Sequence, residues 1–161
     1  MAVPDASERA RGAGSGLPGE TERAIEQACT KLYHRMGLAA DSNLLEFLDL
    51  FTTDIVWTRP ATVMRGHGEV RAFLTAEAER TASHVTRHLY TTVVIDVTDA
   101  EHASGRAYAT IYRDEDPRGG LPVPMRLPEL VVSYDTGFRR EDGQWKISRH
   151  TATLVFSRHA G

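Results

Sequence analysis

The sequence predicts an α+β fold in which a curved antiparallel sheet closes over three N-terminal helices and leaves a cavity between them. Three observations predict it. Apolar residues recur at helical spacing between Glu20 and Gly37, at Ile25, Cys29, Leu32 and Met36. The second half of the chain is dominated by long strand-like segments, and these fall into two pairs joined by turn-forming residues. Helices first and a meander of strands after them is the α+β order. Three short helices cover only part of such a sheet, so the sheet is expected to curve over them.

Each element follows from local chemistry. Residues 1–19, MAVPDASERARGAGSGLPG, are Gly, Ala, Ser and Pro with scattered charge, and they read as a flexible tail. The tail formally contains GxGxxG at residues 14–19. No strand precedes it and Pro18 sits inside it, so it does not read as a nucleotide site. The first helix is expected over Glu20–Gly37. Tyr33 lies at the edge of its apolar face, about 80° from Ile25 at roughly 100° per residue, and His34 lies nearer the opposite side. The stretch AADSN (39–43) is expected to break the helix, with Ser42 or Asn43 capping a short second one over LLEFLDLF. DIVWTR (54–59) reads as a strand ended by Pro60. GHGEVRAFLTAEAER (66–80) reads as a third helix with Glu69 favourably near its N-terminus.

The strands come next. TRHLYTTVVIDV (86–97) meets SGRAYATIYR (104–113) through TDAEH (98–102). LVVSYDTGFRR (130–140) meets QWKISRHTATLVF (144–156) through Glu141-Asp142-Gly143, and Asp-Gly is a strong hairpin signal. Between the hairpins runs DEDPRGGLPVPMRLPE (114–129), with four prolines and two glycines. A loop of that length is expected to be functional. With Gly119-Gly120 as a hinge, it is expected to border the pocket mouth as a lid. One folded domain is therefore expected over 20–158, followed by a short tail at 159–161.

Composition narrows the functional classes. The chain has 161 residues, 41% of them hydrophobic and 25% charged, enough for one globular domain with a real core. The net charge of −3, with seven histidines neutral, gives no electrostatic reason to expect nucleic acid or an anionic membrane. The single cysteine, Cys29, cannot form an internal disulfide and fits a reducing compartment. No apolar run approaches the roughly 20 residues of a membrane span, and the N-terminus lacks a signal core. A cytoplasmic protein is expected. No P-loop, Ser-His-Asp signature, paired cysteines or cofactor motif is present, so chemistry by side chains alone, without a cofactor, is expected.

Alternation in the 86–97 strand places His88, Tyr90 and Thr92 on one face, and Leu89, Val93, Ile95 and Val97 on the other. The first face is expected to line the pocket, where the His88 imidazole can act as acid or base. The apolar face is expected to meet a second copy in a homodimer, since it should not be left in water. His84 and His88 have i, i+4 spacing, but that converges only on a helix, so no metal is expected. Tyr33 could donate a hydrogen bond to a substrate oxygen. Arg59 could hold a carboxylate or an enolate. Trp57, Tyr108, Tyr112 and Tyr134 could form aromatic walls, and Arg113 could join them in binding a small hydrophobic molecule. His34, His102, His150 and His159 are expected at the surface.

Five segments carry a family likeness: LYHRMGLAADSNLLEFLDLFTTDIVW, RGHGEVRAFL, TRHLYTTVVIDV, ASGRAYATIYR and YDTGFRREDGQWKISR. In this order they resemble the SnoaL-like branch of the nuclear-transport-factor-2-like superfamily. The resemblance implies a cone-shaped, cystatin-like fold with a pocket at the open end, often in dimers. The superfamily holds scytalone dehydratase, steroid Δ-isomerase, polyketide cyclases, limonene epoxide hydrolase, dioxygenase β subunits and non-catalytic binding modules, so the fold does not fix the function.

His88 in TRHL is similar to the dehydratase histidine at the start of the equivalent strand. The second histidine of that pair would fall at or beside Arg113, where this chain has Tyr112-Arg113. Tyr33 matches a first-helix tyrosine that polarises a substrate oxygen. The dehydratase aspartate just after it is His34 in this chain. The isomerase's aspartate base would fall at Arg59, Trp57 falls on a pocket tyrosine, and the hydrolase's Asp-Arg-Asp set has no counterpart. What the resemblance implies is a cofactor-independent lyase or isomerase acting on a small hydrophobic, aromatic or polyketide-like molecule. Its alternatives are a non-catalytic ligand-binding protein and a structural subunit like the dioxygenase β chain.

Overall fold

The apolar stripe that starts at Ile25 builds a 24-residue helix, α1 (Gly19–Ser42), which buries Ile25, Cys29, Leu32, Tyr33 and Met36. These belong to a computed structural model that describes residues 16–158. The tail expected at 1–19 falls mostly outside the described residues, and the tail at 159–161 falls wholly outside them. Burial pushes the Cys29 thiol up to about 12, so it packs as a small apolar group. AADSN does not break the helix. Ala39 and Ala40 are strong helix formers, and the helix ends only where the Asn43 N–H donates to the Ala39 carbonyl at 2.9 Å. Asn43 then caps the next segment, its side-chain oxygen accepting from the Leu45 N–H at 3.2 Å. That segment is a 3₁₀ turn (Leu44–Glu46) and a single α-turn, α2 (Phe47–Leu50). Helix α3 (Gly66–Arg80) has the bounds expected of it, and Glu69 reaches back to accept the Arg65 N–H at 2.8 Å.

Six strands follow the helices or separate them: β1 (Phe51–Arg59), β2 (Thr62–Arg65), β3 (Val85–Val97), β4 (His102–Asp114), β5 (Leu130–Glu141) and β6 (Gln144–Ser157). They form one sheet in the order β2-β1-β6-β5-β4-β3. The hairpins β3–β4 and β5–β6 are as expected, the latter turning at Asp142 and Gly143 with φ of 51° and 76°. Such paired left-handed residues suit the twist of a two-residue hairpin. β2 has no counterpart among the expected elements. The sheet is also mixed rather than wholly antiparallel, because β1 runs parallel to β6, with Trp57 opposite His150. No short turn joins β1 to β6, so no hairpin forces them antiparallel.

The sheet curves over α1 and α3, and the core lies between, built on Leu32, Phe51, Ile55, Val70, Leu74, Phe138 and Ile147. Among the described residues no helix is long and apolar enough to cross a membrane. The expected alternation of β3 does not run its whole length. The register with β4 shifts between Thr91 and Val94, and Thr92 has φ of 52°. A bulge of this kind adds one residue and reverses the inside–outside phase beyond it. His88 and Tyr90 therefore face inward before the bulge, and Val93, Ile95 and Val97 pack inward after it. Leu89 does not share a face with that trio: it is exposed, and so is Thr92.

Candidate active site

Between α1, α3 and the inner face of the sheet lies a cavity of about 300 Å³. This is the size at which small-ligand pockets begin. His88 lies on its wall, held by a residue the sequence reading did not select. The Asp41 carboxylate accepts the His88 backbone N–H at 3.1 and 3.2 Å, and its Oδ1 stands 2.7 Å from His88 Nδ1. Both side chains are largely covered, at 15% and 13% exposure. An ionised carboxylate only accepts hydrogen bonds, so in the neutral imidazole Nδ1 carries the hydrogen and Nε2 keeps the lone pair.

Local geometry brings the pair together. Asp41 lies one helical turn beyond Gly37 and on the same face. A Cβ on Gly37 would stand 3.2 Å from both the His88 carbonyl oxygen and Tyr90 Cδ2. The bare glycine lets β3 lie close against α1, which brings the last turn of the helix within reach of His88. Tyr33, Gly37 and Asp41, spaced at i, i+4 and i+8, are the signal that could have found Asp41.

A second imidazole lines the cavity. His150 on β6 is fully buried, contrary to the expectation that it lies at the surface. Its Nδ1 is 2.9 Å from Thr136 Oγ1, directly across the β5–β6 ladder, and its Nε2 has no partner. Burial, with Arg59 and Arg149 nearby, pushes its pKa down to about 3, so the ring is neutral at ordinary pH. A second bulge turns it inward. The β5–β6 register shifts between Gly137 and Phe138, so Ile147 and His150 both face inward although one is odd and one even.

The walls are aromatic. Tyr134 stacks on His150 at 4.5 Å and on Tyr90 at 5.5 Å. Burial raises the pKa of both phenols, and their hydroxyls interact. Trp57 stacks on Phe47 at 5.5 Å, and its Nε1 is buried without a partner. The Arg59 guanidinium lies over Phe73 at 4.9 Å and over Trp57 at 5.6 Å. Glu77 shares this rim. Its carboxyl is held below the usual range, first by hydrogen bonds from Arg80, against the opposing effect of burial, and further by Arg59 and Arg113.

Of the residues read from the sequence, His88, Trp57, Arg59, Tyr90, Arg113 and Tyr134 meet at this cavity. Four do not. Tyr33 is fully buried in the layer behind, with its ring against Tyr90, Phe138 and His150, so it is not on the wall. Thr92 and Tyr108 point outward, the first because of the bulge and the second because Ala107 and Ala109 take the inward positions of β4. Tyr112 lines a separate outer groove with Leu89, Val123 and Met125. No residue of 114–129 touches the cavity, so the expected lid lies against the outer face instead. His34 and His102 are exposed as expected, and His159 lies outside the described residues. Among the described residues, no three His, Cys, Asp or Glu side chains gather to hold a metal ion.

A mixed curved sheet over three helices, with a pocket between them, is an architecture shared with other chains. The chain belongs to the SnoaL-like domain family, whose model matches residues 21–151. Solved structures share the fold. A candidate scytalone dehydratase from Novosphingobium aromaticivorans is 18% identical over 89% of this chain and 93% of its own, with a TM-score of 0.74. A hexachlorocyclohexane dehydrochlorinase, LinA type 2, is 15% identical over 86% of this chain and 90% of its own, with a TM-score of 0.69. A candidate aromatic ring hydroxylase from Novosphingobium aromaticivorans is 23% identical over 87% of this chain and 92% of its own, with a TM-score of 0.63. Among curated proteins, none matches.

Proposed function

We propose that the protein is a cofactor-free lyase or isomerase that moves a proton on a small hydrophobic molecule of aromatic or polyketide-like character. The observation that carries this reading is the 2.7 Å contact between His88 Nδ1 and the Asp41 carboxylate. Asp41 fixes the tautomer, so His88 Nε2 can take a proton from carbon, and the carboxylate stabilises the imidazolium that results. The electron pair of the broken C–H bond moves onto an adjacent carbonyl, giving an enolate. A lyase then expels a leaving group from the next carbon as the C=C bond forms, and the departing group takes the proton from His88. An isomerase returns the proton to a different carbon. Tyr90, Tyr134 and Trp57 offer flat apolar walls for the substrate body. That folds described as dehydratase and dehydrochlorinase share this architecture agrees with the reading.

The test needs no natural substrate. In D₂O the α-hydrogens of 2-tetralone exchange slowly, and NMR follows the loss of signal. The protein is expected to accelerate this exchange, and His88→Ala to remove about 10²–10⁴-fold of the acceleration. An equally active His88→Ala protein would overturn the mechanism. Binding of 2-tetralone without accelerated exchange would favour the binding-module reading.

A further inference from the structure

We infer that His150 is a substrate-recognition residue: its Nε2–H, with the Trp57 indole N–H beside it, receives a neutral carbonyl oxygen of the ligand. The inference rests on the reading of the cavity as a small-molecule site and names the chemistry of what enters it. Two observations point to a missing acceptor. His150 Nε2 and Trp57 Nε1 are both buried, both belong to rings that line the cavity, and neither has a partner. The two residues face each other across the β1–β6 pairing, with ring centroids 6.5 Å apart. A buried polar atom left without a hydrogen bond costs roughly 1–3 kcal/mol. Two such donors, on rings whose centroids lie 6.5 Å apart in the lining of one cavity, are the complement of an oxygen atom.

The hydrogens on this wall follow from the layer behind it. The Tyr33 hydroxyl makes no hydrogen bond of ordinary length, and Thr136 is the hydroxyl it faces. A phenol is the stronger donor of the two, so a hydrogen shared between them comes from Tyr33 and leaves the Thr136 hydrogen for His150. Thr136 in turn donates to His150 Nδ1, 2.9 Å away. A neutral imidazole that accepts at Nδ1 carries its hydrogen on Nε2. The surrounding groups agree with a neutral ring: Arg59 from β1 and Arg149 from β6 are cationic, while Tyr134 from β5 and Tyr33 from α1 are phenols. An indole N–H can only donate, so both groups ask for an acceptor. This gives Tyr33 a positioning role from behind the wall.

Two measurements on the intact protein test this. Two-bond ¹H–¹⁵N spectra of histidine-labelled protein are expected to show His150 as the neutral Nε2–H tautomer from pH 5 to pH 8, and to show a weakened bias in Thr136→Val. An Nδ1–H tautomer or an imidazolium in that range overturns the inference without any variant. Binding is then compared for 2-tetralone and tetralin, which share a shape and differ by the carbonyl oxygen. The ketone is expected to bind about 10-fold tighter, with the preference lost in His150→Phe. Equal binding of the two by the wild-type protein, or an undiminished preference in a folded His150→Phe variant, overturns it. The two readings fail separately. Ketone preference without accelerated exchange counts against the base at His88, and accelerated exchange without ketone preference counts against His150.

Discussion

Replacing His150 with phenylalanine should make the protein less sensitive to acid. In the folded protein the His150 pKa is pushed down to about 3, first by burial and then by Arg59 and Arg149. In the unfolded chain it returns to about 6.5. Between these values the unfolded chain binds a proton that the folded protein refuses, so stability falls as pH falls below about 6.5. At pH 5.0 the gap from the unfolded value is about 1.5 units, and at about 1.36 kcal/mol per unit the loss from this one group is roughly 2 kcal/mol. Phenylalanine keeps a ring for Tyr134 to stack on and removes the titration. It also removes the acceptor of the Thr136 hydroxyl, but that cost does not change with pH. Urea unfolding of both proteins at pH 7.5, 6.5, 5.5 and 5.0 checks the value. Relative to wild type, the variant should gain about 2 kcal/mol between the first and last pH. A pH-independent difference between the two curves would refute the buried neutral imidazole.

Other expectations follow from single contacts. Asp41→Asn removes the carboxylate that fixes the His88 tautomer, so 2-tetralone exchange should fall by roughly 10²-fold, measured by NMR, while ketone binding persists. In Gly37→Ala the new Cβ meets the His88 carbonyl and Tyr90 at 3.2 Å. Overpacking should outweigh the gain in helix propensity, lowering stability by about 1 kcal/mol in urea and slowing exchange. We also propose that the outer face of β3 and β4, where Leu89, Val94 and Tyr108 are exposed, joins two copies. Light scattering should show a dimer that Leu89→Arg with Val94→Arg reduces to a monomer, and a wild-type monomer at micromolar concentration would refute this.

The fold was largely legible because its signals are local. The α3 bounds, both hairpins and the Asp142-Gly143 turn follow from periodicity and turn chemistry within a few residues. What escaped depends on distant parts of the chain. The parallel β1–β6 pairing joins segments about ninety residues apart, and nothing in either segment announces it. Ending the first helix at Gly37 removed Asp41 from view, because the helix runs five residues further, to Ser42, and carries Asp41 on its last turn. His88 could be picked out by its place on the strand, whereas its partner could not. Thr92 is misplaced by the assumption of unbroken strand alternation, and the burial of His150 depends on a bulge in β6 that its own sequence does not announce.

The phase reversal at Thr92 splits β3 into two stretches with separate duties. Residues 88 and 90 serve the cavity, and residues 93, 95 and 97 serve the core. A saturation scan along the strand should therefore show two out-of-step patterns of tolerance, meeting at the bulge. For anyone reshaping the pocket, the cavity-lining positions of the first stretch other than His88 can be diversified in a library while the second, which keeps the molecule folded, is left untouched.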